Sequence, residues 1–504
     1  MIGANAVVVR DVPSDGRRAG RCAASEERMS APASRKEVPL CAAVAGKGGA
    51  AAASDAAEAA AAPHGRQAAA PTAVHPRVLI VAEHASARFG GEAVLALHYY
   101  RMLRRRGVEA WLLVHERTRA ELERLFPEDR ARIRYVADTR AHVALWKLGR
   151  MLPDRLSAFT TGYAMRLLTQ RDQLRQARAL VAEQGIEVVH QPMPVSPKEP
   201  SLLRRVGAPV VIGPMNGGMN FPPAFSSRQG RLTRWMIGLG RAGADLANRL
   251  APGKPEAELL LVANERTRRA LPLALASRAR LLVENGVDLS LWHPRVALPS
   301  PLAVPVRFAF VGRLVDWKAV DCLLEAFASA RASTPMCLSI LGDGPERAAL
   351  EAQARRHGML AADAGEAGRV HFAGWMSQAE CAACLRQADA LVLPSLLECG
   401  GAVVLEAMAV GLPVIASAWG GPLDYLDDES GVLVPVESRE RFVDGLADAL
   451  ARLAGDAALR ERMGRAGRRR VMEEFDWDVK IDRMLNLYAE AVRSFTRRSD
   501  GGAA

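Results

Sequence analysis

The stretch LVLPSLLECGGAVVLEAMAVGLPVIAS, residues 391–417, contains a strand, a helix and a second strand in direct succession. The first apolar run ends in a loop that carries Glu398 and two glycines. Every residue of Ala402–Val410 except Glu406 is apolar, which predicts a buried helix, and Gly411 ends it before the strand PVIAS. A buried helix between buried strands is typical of a parallel sheet covered on both faces.

The same alternation of strands and helices extends on both sides of this stretch. Runs that predict strands in the first half are RVLIVAE, VEAWLLV, IEVVH, APVVIG and ELLLVAN, and in the second half VRFAFVG, MCLSILG, VHFAG, LVLP and PVIAS. The proline-containing segment 290–305 between the halves predicts a linker. We therefore expect an α/β protein with two Rossmann-like domains that face each other across a cleft.

Length and composition set the domain boundaries. With 504 residues and 49% hydrophobic content, the chain can form two or three domains. The first 75 residues are rich in Ala, Gly, Arg and Ser and contain no aromatic residue, so we predict a disordered tail over residues 1–75. A first domain is expected over residues 76–295, a second over 296–475 and a last helix over 476–497.

The net charge of +11, from 67 Lys and Arg against 56 Asp and Glu, favours an anionic partner. Nucleic acid is disfavoured, because aromatic residues are only 5% of the chain and form no stacking pattern with basic residues. Neither a signal peptide nor a spanning helix is visible, so we expect a cytoplasmic protein. The basic stretch Arg231–Leu250 suits a helix on the inner face of an anionic cell membrane and, equally, a helix packed on its own domain.

Loops that follow strands are where ligands of α/β sheets bind. In the opening stretch, Gly400 and Gly401 allow a ligand to approach the backbone, and the helix start at Ala402 is a potential anion site. Glu406 lies about one turn, roughly 5 to 7 Å, beyond that start. A buried carboxylate needs a partner, which would be a ribose diol of a bound nucleotide or an Arg of the core.

Three more loops of the second half follow strands. Arg313 and Lys318 bracket the turn after VRFAFVG, where both can converge on a diphosphate. The segment VHFAGW, residues 370–375, ends a strand in glycine, so that its backbone can meet a nucleobase edge. The LGDGPE turn, with Pro345 at an expected first helical position, is interpreted mainly as structural.

The first half has weaker signals at the corresponding places. FGGE supplies Gly90 and Gly91 after a strand, and GPMNGG, residues 213–218, is another glycine-rich loop. His190 lies at the end of the strand IEVVH, where a structural role and a role in the cleft are equally expected.

Metal-binding patterns have structural explanations. The only Asp-x-Asp pair, Asp476 and Asp478, precedes the terminal helix, where capping by Asp476 is favoured. Cys381 and Cys384 lack a second pair at zinc spacing and are interpreted as two thiols on one helical face. We therefore expect no metal.

The combination of FGGE, VGRLVDWK, LGDGPE, VHFAGW and the opening stretch resembles the nucleotide-sugar glycosyltransferases of family 4, over about residues 77–497. The resemblance implies the GT-B architecture, in which the last helix returns to the first domain. It also implies retaining, metal-independent transfer of a sugar from a UDP- or GDP-sugar to a glycan or lipid-linked acceptor, without a cofactor. Polysaccharide or glycoconjugate biosynthesis would be the setting.

The resemblance also implies roles for individual residues. Glu406 would hold the ribose, Glu398 the donor sugar hydroxyls, and Arg313 and Lys318 the leaving diphosphate, while His190 would sit against the sugar. The implied catalytic residues are His190, Arg313, Lys318 and Glu398. The implied donor-binding residues are Gly90, Gly91, Gly312, Phe372, Gly374, Cys399, Gly400, Gly401, Ala402 and Glu406.

One departure from the family pattern lies at Ala319, where a glycine usually follows the lysine. Two other functions stay open from the sequence. One is a nucleotide-sugar epimerase or phosphorolytic enzyme of the same architecture, for which no set of acid and base carboxylates can be identified across the cleft. The other, less favoured, is a non-catalytic basic binding protein.

Overall fold

The computed structural model describes residues 75–501 apart from 153–156, 158–159, 229–247, 249, 296–304 and 333. These residues form two seven-stranded sheets in which every strand pair is parallel. The predicted α/β class with two Rossmann-like domains is confirmed. The predicted tail up to residue 74, nearly all of Arg231–Leu250 and most of the linker lie outside the described residues.

The first sheet has the strand order β3-β2-β1-β4-β5-β6-β7. Its strands are β1 (Val78–Val81), β2 (Ala110–His115), β3 (Ile133–Val136), β4 (Val188–Gln191), β5 (Val210–Met215), β6 (Leu259–Val262) and β7 (Ala279–Leu281). The α-helices described in this half are α1 (Gly91–Arg105), α2 (Arg119–Leu125), α3 (Arg140–Gly149), α4 (Thr161–Gln184), α5 (Gly253–Glu256), α6 (Glu265–Arg269) and α7 (Leu273–Ala276).

The second sheet has the order β10-β11-β9-β8-β12-β13-β14. Its strands are β8 (Val306–Val311), β9 (Met336–Leu341), β10 (Leu360–Ala361), β11 (Val370–Gly374), β12 (Ala390–Leu393), β13 (Val414–Ser417) and β14 (Gly431–Val434). Its helices are α8 (Val320–Ala330), α9 (Arg347–Arg356), α10 (Gln378–Gln387), α11 (Ala402–Val410), α12 (Pro422–Tyr425), α13 (Arg439–Gly455) and α14 (Ala457–Arg470).

The last helix, α15 (Trp477–Gly501), follows the second sheet in sequence but packs in the core of the first. Trp477 and Tyr488 are fully buried there, where the helix packs against α1, β4 and β5. Burying one such aromatic side chain stabilises a fold by about 2 to 3 kcal/mol. Asp476 accepts a hydrogen bond from the backbone N–H of Asp478, as the predicted capping requires. The return of this helix agrees with the expected GT-B architecture.

All ten predicted strand runs form strands, whereas four strands were not predicted. The missed strands are β3, β7, β10 and β14. Each lies at a sheet edge and has two to four residues, so its apolar signal is short, and in β3 and β7 it is also interrupted by polar residues. Pro345 was expected as the first residue of a helix, but α9 begins at Arg347 and Pro345 lies in the turn before it.

Among the described residues, no helix is both long enough and apolar enough to cross a bilayer.

Candidate functional site

The loop between β12 and α11 lies at the carboxyl end of the second sheet. Gly401, at the helix start, has φ 85°, a left-handed conformation that glycine adopts without strain. A Cβ on Gly400 would lie 2.4 Å from Asn285 Nδ2 and 2.5 Å from Glu284 Oε1, so no larger residue fits. The two glycines thus let the loop lie close to neighbouring side chains, and the first N–H groups of α11 have no acceptor within the helix.

Glu406 is the only polar residue of α11. It is half-buried together with Ala402 and Val403, while the remaining residues, from Val404 on, are buried. Positions 402, 403 and 406 share one side of the helix, since residues three and four apart are neighbours. Burial raises the pKa of the Glu406 carboxyl to about 7. No arginine pairs with it among the described residues, so the core salt bridge weighed as its alternative role is not formed there.

Lys318 and Glu398 form an ion pair between two loops of the second domain. Lys318 belongs to the 3-10 turn Asp316–Lys318 after β8, and Glu398 follows β12, the adjacent strand. Their side chains are 15% and 11% exposed, so the pair is shielded from solvent but not enclosed. Two residues 80 positions apart in sequence are therefore brought together.

Ala319 has φ 50° and ψ 35°, the left-handed conformation that a glycine would adopt more easily. For a residue with a Cβ this conformation costs roughly 1 to 2 kcal/mol. Its side chain is fully buried, and contacts with the core offset part of this cost. The Ala319 departure thus leaves the turn that carries Lys318 intact.

Arg313 is exposed and makes no ion pair with any described residue. It lies between Gly312 and the turn that carries Lys318, so two cations follow the carboxyl end of β8.

The segment that was expected to meet a nucleobase, VHFAGW, is largely occupied by contacts within the domain. Phe372 is buried in the core, and its carbonyl accepts a hydrogen bond from Arg347 at 3.3 Å. The Gly374 carbonyl accepts from Gly342 N–H at 2.7 Å. A Cβ on Gly342 would meet the Gly312 carbonyl at 1.9 Å, which supports the structural interpretation of the LGDGPE turn.

In the first domain, Gly90 precedes α1 with φ 94°, and Gly91 is its exposed first residue. Glu92, in the first turn, was not predicted as a site residue. Its pKa is raised to about 7, chiefly by burial and then by the nearby Glu199 carboxylate. A carboxyl group that titrates near neutral pH therefore lies at the start of α1.

His190 is separated from the other predicted site residues. It lies within β4, is fully buried, and engages both ring nitrogens: Nε2 lies 2.6 Å from the Gly213 carbonyl and Nδ1 2.7 Å from the Tyr488 hydroxyl. Burial lowers its pKa to about 4, so the ring is neutral at physiological pH. In this structure it ties β4 to α15 and β5.

A polar network that sequence reasoning missed joins the two domains behind the Glu398 loop. Asn216 Nδ2 donates to the Cys399 carbonyl at 2.9 Å and to Glu284, and Arg266 donates to the same carbonyl at 3.2 Å. Asn264 donates to Asp424 of the second domain at 2.7 Å. GPMNGG and the ENGVD turn were recognised only as glycine and turn signals, and their polar residues supply Asn216 and Glu284.

Glu284 is the most enclosed acid of this network. Its Oε1 accepts from Asn216 and from Asn285, whereas Oε2 is buried without a hydrogen-bond partner. Burial raises its pKa, although the hydrogen bond from Asn216 opposes the shift. The contact between the Glu398 loop and the first domain therefore includes a carboxyl group that is only partly satisfied.

Comparison with known proteins places this site in context. Residues 304–470 match the family described as glycosyl transferases group 1. The chain is 34% identical over 214 residues to glycogen synthase of Mycobacterium tuberculosis H37Rv, which covers 42% of this chain and 49% of the relative. It is 33% identical over 258 residues to D-inositol 3-phosphate glycosyltransferase of Mycobacterium avium strain 104, covering 49% and 58%. The matches span about half the length of these relatives.

Solved structures match over most of the described chain. Sucrose-phosphate synthase from Thermosynechococcus elongatus superposes with a TM-score of 0.57 at 21% identity, covering 83% of this chain and all of that chain. Anabaena HepE in complex with UDP gives 0.54 at 16% identity, covering 82% and 100%. These identities establish a shared fold. Residues 304–470 thus match the glycosyl transferases group 1 family, in a chain whose two sheets have the GT-B fold.

Proposed function

We propose that the protein is a retaining, metal-independent glycosyltransferase that moves a sugar from a nucleoside-diphosphate sugar to a glycan or lipid-linked acceptor. The observation that carries the proposal is the arrangement around the start of α11. An ion pair of Lys318 and Glu398 lies in the loops before the helix, and the carboxyl group of Glu406, which forms no ion pair with a described residue, lies one turn along the helix. The family match of residues 304–470 and the UDP bound to HepE support a nucleotide-sugar donor.

The diphosphate would bind at the start of α11. The first N–H groups of a helix have no acceptor within it, and those of Gly401 and Ala402 donate to no described residue. The helix dipole adds a partial positive charge at the same point. Arg313 and Lys318 would stabilise the negative charge that develops on the departing diphosphate, so that this charge needs no metal.

The two carboxylates, Glu406 and Glu398, would bind the ribose and the sugar of the donor. Glu406, which lacks a protein partner among the described residues, would accept hydrogen bonds from the ribose hydroxyls. Glu398, already fixed by Lys318, would orient the sugar hydroxyls with the Cys399 and Gly400 backbone. Hydrogen bonds to a carboxylate contribute about 1.5 to 3 kcal/mol each, enough to select a nucleotide sugar over a simple phosphate.

A thermal-shift screen with UDP-, GDP- and ADP-sugars tests the donor assignment. A ligand that binds only the folded state at 100 times its Kd stabilises the protein by about 2.7 kcal/mol, which raises Tm measurably. We expect one base to stabilise the wild type and the same ligand to have little effect on Arg313→Ala/Lys318→Ala. Arg441→Ala, a change of an exposed arginine of the second domain, is the matched control. If the ligand raised Tm equally in the wild type, in Arg313→Ala/Lys318→Ala and in Arg441→Ala, the assignment of Arg313 and Lys318 to the donor site would be wrong.

A nucleotide-sugar epimerase is the second candidate, and one observation favours it. Glu92 is a carboxyl group whose pKa is about 7, and its charge influences Cys399 of the opposite domain. Such a group can exchange protons near neutral pH. Formation of an epimerised donor without any acceptor, lost in Glu92→Gln, would establish this reaction instead of transfer.

A further inference from the structure

The helix α3 exposes an unusual concentration of apolar side chains. Within nine positions, Val143, Trp146, Leu148 and Met151 are 46%, 47%, 51% and 81% exposed. Only seven other large apolar side chains of the described residues are similarly exposed, and they are scattered over the two domains. Large apolar groups clustered at the surface of a soluble fold mark a contact with something else.

Contacts between the buried side of α3 and α4 keep the other side of α3 exposed. Thr139 caps the helix, and His142 completes a capping box with it. Buried His142 contacts Thr169 of α4 at 3.2 Å, and a Cβ on Gly149 would lie 2.6 Å from Thr161 Oγ1. Because this seam against α4 fixes the rotation of α3, Trp146 and its neighbours cannot turn inward.

Exposed basic residues lie near these apolar side chains and form no ion pairs with acidic residues of the described chain. Arg140, Lys147 and Arg150 are exposed, and none of them forms an ion pair with a described residue. The Arg150 guanidinium lies 5.1 Å from the centre of the Trp146 ring. Residues 140–152 contain no Asp or Glu. This face, which we call the α3 surface, therefore combines apolar groups with a net charge that no neighbour in the described chain neutralises.

We infer that the α3 surface (Val143, Trp146, Leu148 and Met151 with Arg140, Lys147 and Arg150) binds the headgroup region of an anionic phospholipid bilayer. Apolar side chains and Trp enter the interface of a bilayer while Lys and Arg meet anionic headgroups. A second copy of the chain is a poorer occupant, because two such faces would bring like charges together. This assigns the membrane contact to a different segment from Arg231–Leu250.

The position of α3 links the surface to the acceptor, and this step rests on the proposed function. The helix follows β3, whose carboxyl end lies at the same edge of the parallel sheet as the start of α1 at Gly91. A bilayer on α3 would therefore lie on the acceptor side of the molecule and supply a lipid-linked acceptor. Three basic residues near an anionic surface give reversible, salt-sensitive binding.

Co-sedimentation of the full chain with vesicles tests the inference. We expect binding to vesicles of phosphatidylcholine with about one-third phosphatidylglycerol, weak binding to phosphatidylcholine alone, and release at high salt. Lys147→Glu/Arg150→Glu and Trp146→Ala/Met151→Ser should each lower the bound fraction about tenfold or more, since two favourable contacts are lost. Leu273→Ser, at an 88% exposed apolar residue of α7, and Arg441→Glu are the matched controls.

Equal binding by wild type and both α3 variants, or no binding of the wild type to anionic vesicles, would overturn the inference. A concentration-dependent dimer that Trp146→Ala abolishes would assign the surface to a second copy instead. Unchanged Tm values would show that the variants are folded. Donor-induced thermal shifts, measured without vesicles, should be the same in all variants. If no nucleotide sugar shifts Tm while vesicle binding persists, the proposed function fails and the surface assignment stands.

Discussion

The two domains of this protein use their sequence motifs in different ways. In the second domain, the predicted residues Lys318, Glu398 and Glu406 gather at the carboxyl ends of β8 and β12 and at the start of α11. In the first domain, His190 of β4 is enclosed by β5 and α15, and the unpredicted Asn216 contacts the loop that carries Glu398. In the proposed function the second domain would present its motifs to a ligand, whereas the first would contribute largely through contacts with the second.

The largest expected effect tests the second domain. Replacing Arg313 and Lys318 together with Ala removes both cations that we propose stabilise the leaving diphosphate, and transfer should fall by roughly three orders of magnitude. Initial rates with a saturating donor measure it, with Arg441→Ala as the surface control. A double variant that retains wild-type turnover and Tm would show that the diphosphate binds elsewhere.

Glu406→Gln is the next test and concerns affinity for the donor. Because hydroxyl donors favour the ionised carboxylate, donor affinity of the wild type should rise as pH increases through about 7, the pKa of Glu406. The variant should bind roughly 10 to 100 times more weakly above that pH and show no such dependence. Calorimetric titration with the identified donor at pH values on both sides of 7 measures both effects.

The pH dependence of the stability of Glu406→Gln provides a control for the loss of donor affinity. The folded pKa of Glu406, about 7, exceeds the ordinary value of 4.5, so the folded state binds the proton more tightly than the unfolded state. The wild type must therefore lose stability as pH rises from 4.5 to 7, and the full loss applies above pH 7. Glu406→Gln should be more stable than the wild type at pH 8, by on the order of 1 to 2 kcal/mol, and not at pH 4. If misfolding of Glu406→Gln caused the weaker donor affinity, the Tm of the variant at pH 8 would be lower than that of the wild type.

Asn216→Ala tests the contribution of the first domain. The change removes hydrogen bonds to the Cys399 carbonyl and to Glu284, whose Oε2 already lacks a partner. We expect a loss of about 1 to 3 kcal/mol in the free energy of unfolding and several-fold weaker donor binding. Denaturant unfolding measures the first, and exposed Asn486→Ala is the control. Unchanged donor binding would mean that the network is structural only.

His190→Gln should have the smallest effect on turnover. The structure engages both ring nitrogens inside the first domain, so the variant should lose about 1 to 2 kcal/mol of stability and keep kcat within a few-fold. Tyr488→Phe, which removes the hydroxyl partner, should resemble it. If His190→Gln lost most of its kcat but kept a normal Tm, His190 would act against the donor sugar, as the resemblance implies. Both domains would then place predicted residues in the site.

The sequence sufficed for much of the fold and for the second-domain part of the candidate site. Buried parallel strands are continuous apolar runs, so β1, β8 and β12 were predictable, whereas edge strands such as β3 and β14 were not. The pair of Glu398 and Glu406 was predictable because an acid stands out in an apolar helix and its loop. Asn216 and Arg266 carry no such local signal, since polar residues in loops are common.

The sequence alone determined the architecture and the carboxylates around α11, because strand and helix periods and charge in an apolar context are local properties of the chain. Tertiary structure decided three things that depend on distant partners. It enclosed His190 through Tyr488, 298 positions away, and joined Asn216 to the Cys399 carbonyl across 183 positions. It also decided that Trp146 of α3 is exposed. The contacts between α3 and α4, rather than the composition of α3, fix which side of the helix is buried.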